Sequence, residues 1–236
     1  MDLGLYWKGF LIAWQGAPIT LAVTLCAIII GVILGFLFAL MKLAKMKFPR
    51  AVATVYIDVM RGTPLIVQAL IVAFGIPQLL NKYGVEFNWS NMEIVPAIIV
   101  CGLNSAAYVA EIIRSGLQAV DIGKTEAARS LGMSSGLTMR IVIIPQAFRI
   151  VLPALGNEVV TLVKETAVLS FVGVVEILRR GVLWNASSFE TFPAYIGVAL
   201  VYLCITMVMS RGVTFMERRL RSEEHTSELQ SRFSIS

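Results

Sequence analysis

A cluster of polar side chains interrupts an apolar segment near residue 160. Its members are Asn157, Glu158, Thr161, Lys164 and Glu165. Helical spacing places Asn157, Thr161 and Lys164 on one face, with the two carboxylates beside it. Pro153 and Gly156 are expected to open the helix just before Asn157 and to expose backbone groups that a polar or charged solute could bind. So many polar groups at membrane depth need either a wet cavity or partners.

The pairing of Lys164 decides what Glu158 can bind. If Lys164 neutralises Glu165, then Glu158 is available to a cationic ligand, and it would attract positively charged solutes and repel acidic ones. The alternative is a partner within the protein. The candidates for that partner are Arg149, Lys164 and Arg61.

Two other apolar segments also carry polar side chains. In one of them Asp58 and Arg61 are three residues apart and can pair on one helical face. Pro64 lacks a backbone donor, so with Gly62 it should kink or break the helix there. This break is either purely structural or part of a discontinuous helix that lines a solute pathway.

The next apolar segment ends in a second group of candidates. Asn104 and Tyr108 share a helical face and are expected to line a cavity, whereas Glu111 and Arg114 are placed to pair with each other. The complete set of expected solute contacts is Glu158, Asn157, Thr161, Asp58, Asn104 and Tyr108.

The sequence offers little for catalysis. Its only histidine, His225, lies in a polar C-terminal tail, and the three cysteines are dispersed through apolar segments, so no metal or nucleophile pattern arises. Gly123-Lys124-Thr125 ends like a phosphate-binding loop, but Gln118 stands where the first glycine is required. We therefore expect no enzymatic activity, no metal and no cofactor on this chain.

The composition requires a membrane. Of 236 residues 57% are hydrophobic and 15% are charged, and the mean hydropathy is +0.79, which one soluble core cannot accommodate. Open strands are too costly in lipid, so the spans should be helices. Residues 5–16 are too short to cross and carry Trp7 and Trp14, which predicts an interfacial helix. The expected spans are 19–41, 52–80, 93–115, 140–175 with interruptions, and 191–215.

The basic residues predict the orientation. Twelve lysines and arginines follow spans one, three and five, whereas four lie on the other side. These four are Lys8, Lys82, Arg179 and Arg180. The positive-inside rule then places the N-terminus outside and the C-terminus in the cytoplasm, and the adjacent pair Arg179 and Arg180 runs against the rule.

The chain divides into three parts. Residues 1–18 form the N-terminal amphipathic segment, and residues 19–220 form the transmembrane domain. Residues 221–236 are polar and lack helical periodicity, so we expect a disordered tail that is not native.

A short polar segment follows the third span. Glu126-Ala127-Ala128 is followed after three residues by Gly132, and aliphatic residues then precede Pro145. Gly123 is expected to end one helix and Glu126 to begin the next. This spacing resembles the signature of the membrane-spanning subunits of ATP-binding cassette importers, and Arg61-Gly62-Thr63-Pro64 resembles an element of their polar amino acid permeases. The likeness extends from about residue 17 to residue 220.

The resemblance implies an all-α polytopic fold of the type I importer permease. This fold has five transmembrane helices, the interfacial helix and a cytoplasmic coupling helix at about 123–134 that docks on an ATPase. The docking residues would be Glu126, Ala127, Ala128, Leu131 and Gly132. ATP and Mg would be held by two separate ATPase subunits, because this chain has no site for them.

Further partners are also implied by the resemblance. They are an extracytoplasmic solute-binding protein and a second permease copy, which would be an identical chain or a close paralogue. The location would be a bacterial inner membrane, and the substrate would be a polar, basic amino acid, namely arginine, lysine or histidine, which the carboxylate of Glu158 would attract. The main alternative is an ion-coupled secondary transporter or channel, in which Asp58, Glu158 and Lys164 carry ions or protons.

Overall fold

The computed structural model describes residues 3–89 and 93–233, with side chains up to residue 220, and within these ranges the regular structure is helical. The α-helices are α1 (Leu3–Trp14), α2 (Ala17–Leu43), α3 (Lys47–Gly62), α4 (Leu65–Leu70), α5 (Ile76–Lys82), α6 (Ile94–Gln118), α7 (Ile122–Ser130), α8 (Ser135–Thr138), α9 (Ile144–Glu165), α10 (Ile177–Ser188) and α11 (Thr191–Phe233). Two π-helical turns, Ile71–Gly75 and Met139–Ile143, and a 3-10 helix, Thr166–Val172, join some of them.

Five helical stretches of the described chain are long and apolar enough to cross a membrane, which confirms the predicted number. They are Leu3–Leu43, Leu65–Lys82, Ile94–Gln118, Ser135–Val172 and Thr191–Leu220. The second stretch begins later than predicted, because α3 ends at Gly62 and Pro64 separates it from α4. The predicted helix break at Gly62 and Pro64 is therefore confirmed.

The described residues form two compact units. The first comprises the residues up to Glu111 together with Glu158–Thr206, and the second comprises Ile112–Asn157 with the residues from Met207 onward. The core of the first unit is aliphatic and comes mainly from α2, α6, α9 and the 3-10 helix. Fully buried examples are Val23, Val100, Leu162 and Leu169.

Glycines allow helices of the first unit to pack closely. A Cβ on Gly31 would lie 2.8 Å from Oγ of Ser105, and a Cβ on Gly35 would lie 2.7 Å from Cβ of Val109. The two glycines, one helical turn apart, form a small-residue face of α2 that packs on α6 within one chain. At the N-terminus, a Cβ on Gly9 would lie 2.2 Å from the carbonyl oxygen of Pro193, so α1 is seated against the start of α11.

Two local predictions differ from the structure. Pro153 and Gly156 do not open α9, which runs without a break to Glu165. A proline removes one backbone hydrogen bond of the helix. The helix continues because the other backbone groups must stay hydrogen-bonded in apolar surroundings. Gly156 serves packing instead, because a Cβ there would lie 2.7 Å from Cγ2 of Val213 in the same unit.

The C-terminal region is the second difference. α11 continues to Phe233, whereas we expected a disordered tail from residue 221. The tail contains helix-forming glutamate, glutamine, leucine and arginine residues and extends an existing helix, so that no new nucleation is needed. Residues 234–236 lie outside the described residues, and the non-native origin of the tail stays a prediction.

Candidate functional site

Glu158 is the buried carboxylate of the predicted solute site. It lies on α9 with 9% of its surface exposed, and its Oε1 accepts a hydrogen bond of 3.0 Å from Oγ of Ser105 on α6. Neither Lys164 nor Arg61 forms a salt bridge with it among the described side chains. Burial of a carboxylate is costly without a compensating charge, so this position suits a cation supplied by a ligand.

The other predicted contacts on α9 are exposed. Thr161 and Lys164 follow Glu158 in the first unit and are solvent-accessible, and Asn157 is exposed in the second unit. Asp58 is exposed on α3. Their role in binding a solute stays a prediction.

Arg61 and Tyr108 come together in the first unit. The Arg61 guanidinium lies 5.3 Å from the centre of the Tyr108 ring, which is a cation–π distance. The predicted ion pair between Asp58 and Arg61 is not present within 4 Å among the described residues. The Arg61 guanidinium is therefore paired with the Tyr108 ring, and the carboxylate of Asp58 is exposed at the surface.

Glu111 has a different partner from the one predicted. Its Oε2 lies 3.2 Å from Nζ of Lys42, so a salt bridge joins α6 to the end of α2. Arg114 donates instead to Oε1 of Gln118, one turn further along α6. Sequence spacing favoured Arg114 because neighbours on one helix can be identified without knowing how helices pack.

Asn104 is part of an amide network that supports the helix break at Pro64. It is 3% exposed, and its Nδ2 donates to Oε1 of Gln68 at 3.0 Å and to the Met60 carbonyl at 3.3 Å. Nε2 of Gln68 donates to the carbonyls of Met60 and Thr63 at 2.9 and 3.1 Å. These carbonyls end α3 and have no helical donor, so the two amides satisfy them. The network gives Asn104 a structural role, and its predicted contact with solute is untested.

Gln68→Leu is expected to lower the stability of the permease. It leaves the Thr63 carbonyl without its amide donor and the Met60 carbonyl with only the 3.3 Å bond from Asn104, at a partly buried position and at a cost of about 1 kcal/mol. Thermal unfolding of the purified variant in detergent measures this effect. Gln78→Leu, at an exposed position on α5, is the matched control and should leave the unfolding temperature unchanged. Equal unfolding temperatures for both variants would show that the network contributes nothing.

The cytoplasmic segment predicted for docking forms a short, well-capped helix. α7 begins at Ile122 and not at Glu126, because Oδ1 of Asp121 accepts a hydrogen bond of 2.9 Å from the Gly123 amide. Gly123 therefore lies within α7 and does not end a helix as expected, since the aspartate is the stronger N-cap. Glu126 and Ala127 are exposed, whereas Ala128 is buried.

The end of α7 is set by Gly132. Its φ is +83°, and the amide of Gly132 donates to the Arg129 carbonyl at 3.0 Å while the amide of Met133 donates to the Ala128 carbonyl at 3.2 Å. This pair of bonds is the Schellman motif, which requires a left-handed residue. Leu131 just before it is 84% exposed. The helix thus presents a large apolar side chain at a rigid end, as a docking element needs.

A buried carboxylate that we did not single out from the sequence lies at the start of α10. Glu176 is fully buried, and its carboxylate accepts hydrogen bonds of 2.7 Å from the amides of Leu178 and Arg179 and from the Tyr202 hydroxyl. Burial raises the pKa of Glu176, and these hydrogen bonds lower it in part. The sequence signal that could have identified Glu176 is its place directly before a helix, where the helix dipole favours a negative charge.

Comparisons with known proteins agree with this architecture. The family model described as "Binding-protein-dependent transport system inner membrane component" matches residues 27–222. The arginine transport system permease protein ArtQ of Bacillus subtilis (strain 168) is 37% identical over 210 residues, which are 89% of this chain and 93% of ArtQ. The putative glutamine transport system permease protein GlnP of Rickettsia bellii (strain RML369-C) is 35% identical over 206 residues, which are 87% and 91% of the two chains. A crystal structure of an amino acid ABC transporter with histidines has a TM-score of 0.83 at 40% identity and covers 93% of this chain and 99% of its own.

Five helical stretches that are long and apolar enough to span a membrane, a buried carboxylate on the fourth and a capped helix after the third are the architecture expected of a transport permease. The chain belongs to the family of binding-protein-dependent transport system inner membrane components, the multi-pass permease subunits of ATP-binding cassette importers. The predicted family and the type I importer permease fold are thereby confirmed. Membership implies ATPase and binding-protein partners.

Proposed function

We propose that this permease carries basic amino acids, namely arginine, lysine and histidine, into the cytoplasm. The observation on which the proposal rests is Glu158. It is buried on α9, its described hydrogen-bond partner is the neutral hydroxyl of Ser105, and no described side chain of the first unit forms a salt bridge with it. A guanidinium or ammonium group of the solute would supply the missing positive charge.

The names of similar proteins support an amino acid as the solute. One relative is an arginine permease, another is a putative glutamine permease, and the transporter of known structure was crystallised with histidines. The arginine side chain is cationic and that of glutamine is neutral, so the buried carboxylate is what favours the basic group here. Asn157, Thr161, Asp58 and Tyr108 are the further contacts that we propose for the solute.

The proposed energy source is ATP hydrolysis on two separate ATPase subunits, which hold ATP and Mg. The α7 helix of each permease copy would dock on one ATPase through its exposed residues. Its capped ends make it stiff enough to transmit the closure of the ATPases to the membrane helices. The proposed assembly contains a second permease copy, with an identical chain favoured, and an extracytoplasmic solute-binding protein. In the bacterial inner membrane the N-terminus would lie outside and the C-terminus in the cytoplasm.

Substrate-stimulated ATP hydrolysis tests the proposal. The permease, its ATPase and its solute-binding protein are reconstituted in vesicles, and hydrolysis is measured with each of the twenty amino acids. We expect arginine, lysine and histidine to stimulate hydrolysis most. Stimulation only by neutral or acidic amino acids would contradict the basic substrate. Uptake under an imposed ion gradient without any ATPase would instead favour an ion-coupled transporter.

A further inference from the structure

Two adjacent arginines occupy an unfavourable position at the start of α10. Arg179 and Arg180 lie in the first turn, where the helix dipole disfavours positive charge. In the proposed orientation they also lie on the side of the membrane that has few basic residues, where only Lys8 and Lys82 are expected besides them. Glu176 offsets part of this cost, because its carboxylate caps the same turn. The helix dipole and the membrane orientation both disfavour arginine at this site, which indicates that the two positive charges have a function.

The two guanidinium groups lack anionic partners within the described part of the chain. Both arginines are half-exposed and neither forms a salt bridge there, and Nε of Arg180 is buried without a hydrogen-bond acceptor. Arg179 lines an open cavity of about 740 Å³. Phe171, 64% exposed, and Tyr195 line the same cavity, and so does the exposed Glu93, which forms no salt bridge with Arg179. The surface thus combines arginine with aromatic side chains, the composition that is enriched where proteins bind each other.

α10 is held rigidly to the membrane helices of the first unit. The carboxylate of Glu176 binds the hydroxyl of Tyr202 on α11, and the Ile177 amide donates to Oγ1 of Thr20 on α2 at 3.4 Å. A Cβ on Gly181 would lie 2.3 Å from Cγ2 of Val198, so α10 also contacts α11 closely. A force on α10 therefore reaches α2 and α11 without deformation of an intervening loop.

We propose that Arg179 and Arg180, with the aromatic rim of the adjoining cavity, form the docking surface for an acidic face of the solute-binding protein. We call this the outer arginine surface. The proposal rests on the proposed function, which requires such a protein on this side. Anionic lipid offers the same charge, but the aromatic rim and the rigid connection to α2 and α11 suit a protein whose binding must alter the membrane helices.

The test is a titration of ATP hydrolysis with the solute-binding protein, using the complete complex in nanodiscs. For the variant R179E/R180E we expect the half-saturating concentration of the binding protein to rise at least about tenfold, because close interfacial charges of like sign repel. Hydrolysis without binding protein should not change. Lys82→Glu, an exposed basic residue at the end of α5, is the matched control and should behave as the wild type. Arg179→Gln is the milder second variant, expected to raise the concentration several-fold if the double variant does not assemble.

The outcomes separate the two proposals. If the wild-type complex shows no stimulation by a binding protein, the proposed function fails. If the wild type is stimulated and R179E/R180E and Arg179→Gln saturate at the same concentration as the wild type, the outer arginine surface is not the docking site. An increase that disappears when anionic lipid is omitted from the nanodiscs would assign the arginines to lipid and also overturn the proposal.

Discussion

Leu131→Asp is expected to abolish ATP-driven uptake while the permease still folds and inserts. Leu131 is 84% exposed at the end of α7, beside the left-handed Gly132, so no packing within the chain depends on its side chain. In the docked complex a carboxylate at this position would be desolvated against the ATPase without a partner. That cost, together with the lost apolar contact, is at least about 3 kcal/mol, or roughly a hundredfold in affinity.

Co-purification of the ATPase with a tagged permease measures this prediction directly, and uptake into vesicles measures its consequence. Leu131→Met keeps an apolar side chain of similar volume and should retain both the ATPase and uptake. The two variants should have the same membrane abundance and unfolding temperature. Full recovery of the ATPase with Leu131→Asp would show that α7 docks through other residues or does not dock at all.

Glu158→Gln is expected to reduce uptake of arginine by about a hundredfold and to leave glutamine uptake nearly unchanged. Glutamine has the shape of glutamate and can still accept the hydrogen bond of Ser105, so assembly should be preserved. Loss of the negative charge removes the proposed partner of the solute's cation, and such a buried pair contributes about 2–5 kcal/mol. Competitive uptake of labelled arginine and glutamine by the same vesicles gives the ratio directly.

Glu165→Gln is the control for a general effect of charge. Glu165 is a half-buried carboxylate at the end of the same helix, and it is not among the proposed contacts. Its variant should keep the preference for arginine over glutamine. An unchanged arginine uptake with Glu158→Gln, or an equal loss with Glu165→Gln, would remove Glu158 from the substrate site.

Long apolar stretches, breakers and caps were predictable because each depends on neighbouring residues. The five spans, the break at Pro64 and the helix end at Gly132 all follow from local hydropathy and backbone geometry. The failures have local causes too. Pro153 was expected to open α9 and did not, because a membrane helix tolerates the loss of one donor. Gly123 was expected to end a helix, but the cap of Asp121 is two residues earlier.

Contacts between distant helices were beyond any pattern in the chain. Glu111 binds Lys42, which is 69 residues away, and Asn104 supports the helix break by binding the carbonyl of Met60, which is 44 residues earlier. The hydrogen bond between Ser105 and Glu158 spans 53 residues. Many arrangements of five helices would place such groups near other partners, so spacing alone could not choose among them.

The amino-acid sequence by itself determined that the chain spans a membrane with five helices and belongs to the importer permeases, because hydropathy and short motifs are properties of contiguous residues. Only the tertiary structure decided that Glu158 is buried against Ser105, that Asn104 and Gln68 serve the helix break, and that Glu176 joins α10 to α11. The environment of a buried polar group is made by residues from other helices, and their identity depends on packing that no single segment encodes.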